Sequence, residues 1–214
     1  MEQVYAISGV ISIALASLVT SNFLYDRGVV NSISRCVGGA IGGLAFLATV
    51  LWLEFWIAIT VAGSLTVFIA IMRWKFSQGL RGTQGERVDQ KSAEVMYALG
   101  GTISLAIGWG LIGDRWLAFL PITFMAWGDN AAGLTRATIW RDKKASGLWP
   151  SIIMLSVCLA TATLTHPFWI GAVGAITATA VERYRPRFIR FFDDNLIIIL
   201  SSLMVMTILT ITLQ

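Results

Sequence analysis

The sequence predicts an all-α fold, a polytopic transmembrane helical bundle of about eight spans, on three observations. Charged residues make up 13% of the 214 positions, about half of what a soluble domain carries. Mean hydropathy is +0.73, and apolar runs of span length recur from one end to the other. The basic residues gather in the short stretches between those runs, which is how cytoplasmic loops of membrane proteins are marked. Residues 1–214 therefore read as a single integral membrane domain, with no separate soluble unit.

The predicted spans are 4–24, 33–52, 56–73, 93–113, 116–135, 148–165, 167–182 and 195–213. The first has no Lys or Arg before it and no convincing cleavage site, so it reads as a retained helix rather than a signal peptide. The second carries Gly39, Gly42 and Gly43, small residues that let neighbouring helices approach closely. It turns into the third through Trp52-Leu53-Glu54-Phe55-Trp56. The fifth contains Pro121, which predicts a kink. The seventh is short against the roughly 20 residues of an untilted span, and its Gly171 and Gly174 again invite close packing. Cys36 and Cys158 fall inside spans and read as small apolar fillers, not a disulfide framework.

Of the 16 Lys and Arg residues, all but Arg115 fall on one side when the N-terminus is placed outside. The positive-inside rule then puts both termini on the non-cytoplasmic side. Trp52, Trp56, Trp109, Trp116 and Trp169 mark the outer edge, and Trp74, Trp127, Trp140 and Trp149 the inner one. A pI near 9.4 could suggest nucleic acid, but this placement of the basic residues argues against such a partner.

Acidic residues at the inner ends of spans are the candidates for function, because an ionisable group at that depth needs a reason. In Gly128-Asp129-Asn130-Ala131-Ala132-Gly133, a continuing helix sets Asp129, Gly133 and Arg136 on one face; otherwise Asp129 caps a helix after the Pro121 kink. Asp193-Asp194-Asn195 opens the last span either as an N-cap or as a Mg²⁺ site; two adjacent acids followed by Asn exceed what one cap requires, which favours the site, since Mg²⁺ takes one or two carboxylates plus substrate phosphates. Glu182 is either a general base or an ion-pair partner of Arg183 or Arg185. Arg136, Arg141, Lys143 and Lys144 flank the fifth-to-sixth loop, as topology determinants or as clamps for a triphosphate. The glycine-rich stretch 79–87 could cradle phosphate but lacks the Gly-Lys-Ser/Thr ending of a P-loop. His166, in an outer turn, reads as a loop residue, and one His with two distant Cys argues against a zinc site. No nucleophile elbow, dinucleotide fingerprint or heptad array is present.

Taken together, Gly128-Asp129-Asn130-Ala131-Ala132, the basic loop ending Lys143-Lys144-Ala145-Ser146-Gly147, Val181-Glu182 and Asp193-Asp194-Asn195-Leu196 resemble the phytol kinase and dolichol kinase family. Upstream, Arg81-Gly82-Thr83-Gln84-Gly85-Glu86 is similar to that family's Arg-Gly-x-x-Gly-Glu loop, and Arg35-Cys36-Val37-Gly38-Gly39 loosely to its basic-His-Gly stretch. The chain departs from the pattern at Lys144 and Leu148, where the family has Ser, at Arg136, which falls on a glycine position, and at Cys36, where many relatives have His.

The resemblance implies a kinase transferring the terminal phosphoryl group of CTP, with Mg²⁺, to an isoprenoid alcohol such as phytol, geranylgeraniol or a polyprenol. It implies that Asp129, Asp193 and Asp194 hold the metal. Arg81, Asn130, Arg136, Lys143, Lys144, Gly147 and Asn195 would bind the nucleoside triphosphate, with Asp129, Lys143 and the base Glu182 at the chemistry. A CDP-lipid synthase or a prenyl-phosphate kinase would use similar groups. A cation transporter is the alternative outside enzymology, against which stand the lack of a two-half repeat and the gathering of acids at one face.

Overall fold

The computed structural model describes residues 1–83, 92–139, 148–165, 167–184 and 193–213. The second half of the 79–87 stretch, Trp140, Arg141, Lys143, Lys144, Gly147, His166 and Arg185 therefore lie outside the described residues. Every regular element among the described residues is helical. In chain order they are α1 (Glu2–Asp26), α2 (Asn31–Trp52), α3 (Phe55–Lys75), a 3₁₀ segment (Ser77–Thr83), α4 (Ala93–Ser104) continued by a π-helical stretch (Leu105–Leu111), α5 (Arg115–Thr123), a second π stretch (Phe124–Asp129), α6 (Asn130–Ile139), α7 (Trp149–Ala162), α8 (Phe168–Tyr184) and α9 (Asp194–Leu213).

Four of these helices, α1, α2, α3 and α9, are long and apolar enough to cross a membrane. Their outward faces carry large apolar side chains such as Val19, Val67, Met204 and Ile211, the pattern of helices whose solvent is hydrocarbon. By contrast α5 is apolar all round and buried from Leu117 to Thr123, which identifies it as the central helix. Phe119, Phe124, Met154, Ile199 and Met206 fill the space around it.

The predicted fifth span is one continuous rod from Arg115 to Ile139, but it is not a uniform α-helix. Pro121 supplies no N–H to the ladder, and three residues later the backbone widens into the π stretch. Two of its carbonyls are met by side chains: Asn130 Nδ2 donates to Ala126 O at 2.7 Å and Cys158 Sγ to Phe124 O at 3.9 Å. Asp129 therefore lies within a running helix and does not cap a new one.

The glycines of α2 do what their size predicts. A Cβ on Gly43 would lie 2.7 Å from Trp127 Nε1, and one on Gly39 would collide with the Asn130 side chain. Trp127, expected at the inner interface, instead packs between helices. Its indole N–H donates to Ala40 O at 3.1 Å, and its ring meets Phe119 edge to face at 5.9 Å. Trp52, Trp56, Trp74, Trp149 and Trp169 do face outward.

Candidate functional site

One end of the bundle collects the polar groups. The N-terminal half of α2 and the first turns of α4 and α9 meet there with the junction of the π stretch and α6, around a cleft of about 510 Å³. Arg35, Gly39, Thr83, Glu94, Tyr97, Asp129, Asn130 and Asn195 are among its lining. Of the predicted site residues, Asp129, Asn130 and Asn195 are thus brought together, although 66 positions separate the first from the last.

The start of α9 is held by its own sequence. Asp193 Oδ1 accepts the Asn195 N–H at 2.9 Å, and the Asp193 carbonyl accepts the Ile197 N–H, so this carboxylate does cap the helix. Asn195 Nδ2 then donates to Ala93 O at 3.2 Å, which ties the N-terminus of α9 to that of α4. Two helix N-termini directed at one cleft make it favourable to anions.

Capping uses only one oxygen of Asp193. Its Oδ2 is buried and has no partner among the described residues. Burial pushes this carboxyl up to about 6, with the charges of Asp194 and Asp129 adding and the Asn195 N–H and Arg35 opposing.

Arg136 lies on the face of α6 that the i, i+7 spacing predicts. Its Nη2 is 3.5 Å from Asp129 Oδ1, and its Nη1 donates to Glu182 Oε1 at 2.5 Å. Glu182 is an ion-pair partner, as one of the predicted alternatives has it, and among the described residues it pairs with Arg136 of α6. Arg183 instead donates to Ser151 Oγ at 3.3 Å. The pair locks α8 to α6 and bounds the cleft behind Asp129.

The 3₁₀ segment is clamped to the end of α1. Ser21 Oγ donates to Gly82 O at 2.7 Å and approaches Ser34 O at 3.0 Å, while the Gly82 N–H donates to Asn22 Oδ1 at 2.9 Å. Gly82 lies so close to the Ser21–Asn22 backbone that a Cβ would collide with it. This contact brings Thr83 to the cleft and leaves Arg81 exposed beside it.

Glu94, not among the predicted site residues, also lines the cleft. It stands in the first turn of α4, where an acid is ordinary for the helix dipole. Its signal was the same one that singled out Asp129: a carboxylate at the inner end of an apolar run. The side chain is 7% exposed. Arg73 Nε lies 3.4 Å from Oε1, yet neither oxygen has a hydrogen-bond partner in another described residue.

Among the described residues no group of three or more Asp, Glu, His or Cys side chains forms a ready-made metal cluster. The donor set still fits an ion that keeps substrate oxygens and water in its shell. Asp193 offers a buried, unpartnered oxygen within electrostatic reach of Asp129, and Mg²⁺ needs only one or two carboxylates beside phosphates. No family model, curated protein or solved structure matches the chain, so its resemblance to the polyprenol kinases stands on the short elements themselves.

Proposed function

We propose that the protein is a multi-pass membrane kinase with its active site at the cytoplasmic face, transferring the terminal phosphoryl group of CTP to an isoprenoid alcohol. The observation that carries this reading is the joining of carboxylates, amides and a guanidinium in one cleft at the end of an otherwise apolar bundle, in the order the resemblance implies. Phosphoryl transfer asks a protein mainly for positioning and charge neutralisation, and the cleft has groups for both.

Asp129 and Asp193, with Asp194, would hold Mg²⁺, which when bound bridges and neutralises the phosphates. Asn130 and Asn195 would contact the nucleotide, Arg35 and Arg81 would meet its negative charge, and the paired N-termini of α4 and α9 would favour it. Lys143, Lys144 and Gly147 complete the nucleotide site in this proposal. Arg136 acts on Asp129, holding its carboxylate in place. Glu182, engaged by Arg136, positions that guanidinium, and the base falls to another residue.

The test compares purified protein with Asp129→Asn in lipid micelles, given Mg²⁺, labelled CTP and geranylgeraniol. Labelled prenyl phosphate and CDP are expected from the native chain, with turnover lower by about 100-fold or more in the variant. CDP-lipid with pyrophosphate would identify a cytidylyltransferase instead, and lipid diphosphate with CDP a prenyl-phosphate kinase. Silence across a panel of alcohols, lipid phosphates and nucleotides would overturn the assignment.

A further inference from the structure

The polar cleft does not end at Glu94. A second hollow of about 560 Å³ begins at Ser17, Leu18, Glu94 and Tyr97, which line both. It runs away from the charged end through Ala45, Phe46, Thr49 and Ala62 to Val10. Helices α1 to α4 all line it, almost entirely with apolar side chains. From Leu18 to Val10 it extends roughly 12 Å along α1, at 1.5 Å per residue. Ala14, Leu18, Leu65 and Ile69 are only half-buried, so the groove is open along α1 and α3.

Two polar groups mark the point where groove and cleft join. Glu94 lines both and has two buried carboxylate oxygens without a hydrogen-bond partner in another described residue. Tyr97, one turn along on the same face of α4, has a buried hydroxyl equally without partner. Buried oxygens left this way cost free energy unless a ligand supplies the missing bond. An apolar channel that ends on such a pair suits a molecule with one hydroxyl at the tip of a hydrocarbon chain.

We infer that the groove between α1 and α4 holds the hydrocarbon chain of the acceptor alcohol and that Glu94, assisted by Tyr97, receives its hydroxyl at the mouth of the nucleotide cleft. This rests on the proposed kinase reading and adds to it the place and the partner of the hydroxyl. In the transfer step the alcohol oxygen forms a bond to the γ-phosphorus as the bond from that phosphorus to the β-bridging oxygen breaks. CDP leaves with that electron pair, and the hydroxyl proton passes to Glu94 and then to water. Any length of chain beyond the groove lies in the bilayer.

A diazirine-bearing geranylgeraniol tests the groove without requiring activity. Irradiated with the intact protein in micelles, it is expected to label α1 and α3 around Ala14, Leu18, Leu65 and Ile69, with unlabelled geranylgeraniol competing. Ala14→Trp, on the half-buried side where a larger residue can be accommodated, should reduce that labelling by about tenfold or more. Glu94→Gln should lower kcat by about 100-fold while Mg²⁺–CTP binding stays intact, a division that mere loss of folding would not give. Competed label outside the groove, or labelling unchanged in Ala14→Trp, would overturn the chain site. Native turnover in Glu94→Gln would overturn the role of Glu94. Groove labelling in a protein that forms no prenyl phosphate would sink the kinase reading while leaving the chain site standing.

Discussion

Arg136 stands between two carboxylates, 2.5 Å from Glu182 and 3.5 Å from Asp129. Elsewhere at the same end of the bundle, Glu94 meets one guanidinium at 3.4 Å and accepts no hydrogen bond from another described residue, and Asp193 keeps one buried oxygen unpartnered. The first set is finished as protein structure: charge, geometry and hydrogen bonding close upon themselves. The second is finished only by something else. A bundle short of polar groups has no reason to bury unpaired oxygens for stability, because each one costs free energy in a low-dielectric interior. In the proposed site Arg136 and Glu182 are thus structural and hold Asp129 in place, while Glu94 and Asp193 are left to meet a ligand.

Truncating the closed set should have the largest effect on stability. Arg136→Ala leaves the buried Glu182 carboxylate without its cation, so a loss of about 3 kcal/mol is expected, read as a lower Tm in detergent. A change no larger than that of an exposed substitution would remove the distinction between the two sets.

Next comes Asp193, where the sign is opposite. Its carboxyl is raised from 3.8 to about 6, so the ionised form burdens the folded state, by on the order of 3 kcal/mol. That burden is complete above about pH 7 and absent below the unfolded value, so metal-free stability should fall as pH rises through this window. Asp193→Asn keeps an oxygen for the cap and removes the charge. It should melt higher than the native chain at pH 8 and at the same temperature near pH 4, as thermal unfolding over a pH series would show. Equal melting at both ends would mean that Asp193 is as well satisfied as Glu182.

The smallest effect is expected at Arg73. Its 3.4 Å contact with Glu94 lacks a hydrogen bond and Arg73→Gln leaves an amide donor beside that carboxylate, so the loss should stay below that of Arg136→Ala. A loss as large as that of Arg136→Ala would place Glu94 among the structural carboxylates and weaken its assignment to the acceptor hydroxyl.

Much of this arrangement was legible in the sequence, for reasons that differ by residue. The helix positions followed from hydropathy, and the predicted second span, 33–52, lies within α2 at Asn31–Trp52. The Asp129–Arg136 contact followed from helical spacing alone. Arg136 as the partner of Glu182 did not, because 46 positions separate them and a neighbouring arginine was the simpler candidate. Glu94 was overlooked because a first-turn acid already has a local explanation. Trp127 was misplaced because an indole near a span end looks the same whether it meets headgroups or, as here, the carbonyl of Ala40. The widened backbone at Phe124–Asp129 left no periodic trace, since the stretch is apolar on every side until Gly128.

That widened stretch also sets the angular phase of the site. A π insertion amounts to one residue more than the α period accommodates, so everything beyond it is turned by about 100° relative to an unbroken helix. Asp129, Asn130 and Arg136 owe their heading to that offset, while Phe119 and Ile122 before it keep theirs toward the core. Shortening the stretch by one residue, at Ala126 for example, would leave composition and span length almost unchanged. It would also let the stretch close into an unbroken α-helix with Asp129 still in line with Asn195, whereas the same deletion in the α-helical turn before it, at Phe119 for example, would swing Asp129 away by about 100°.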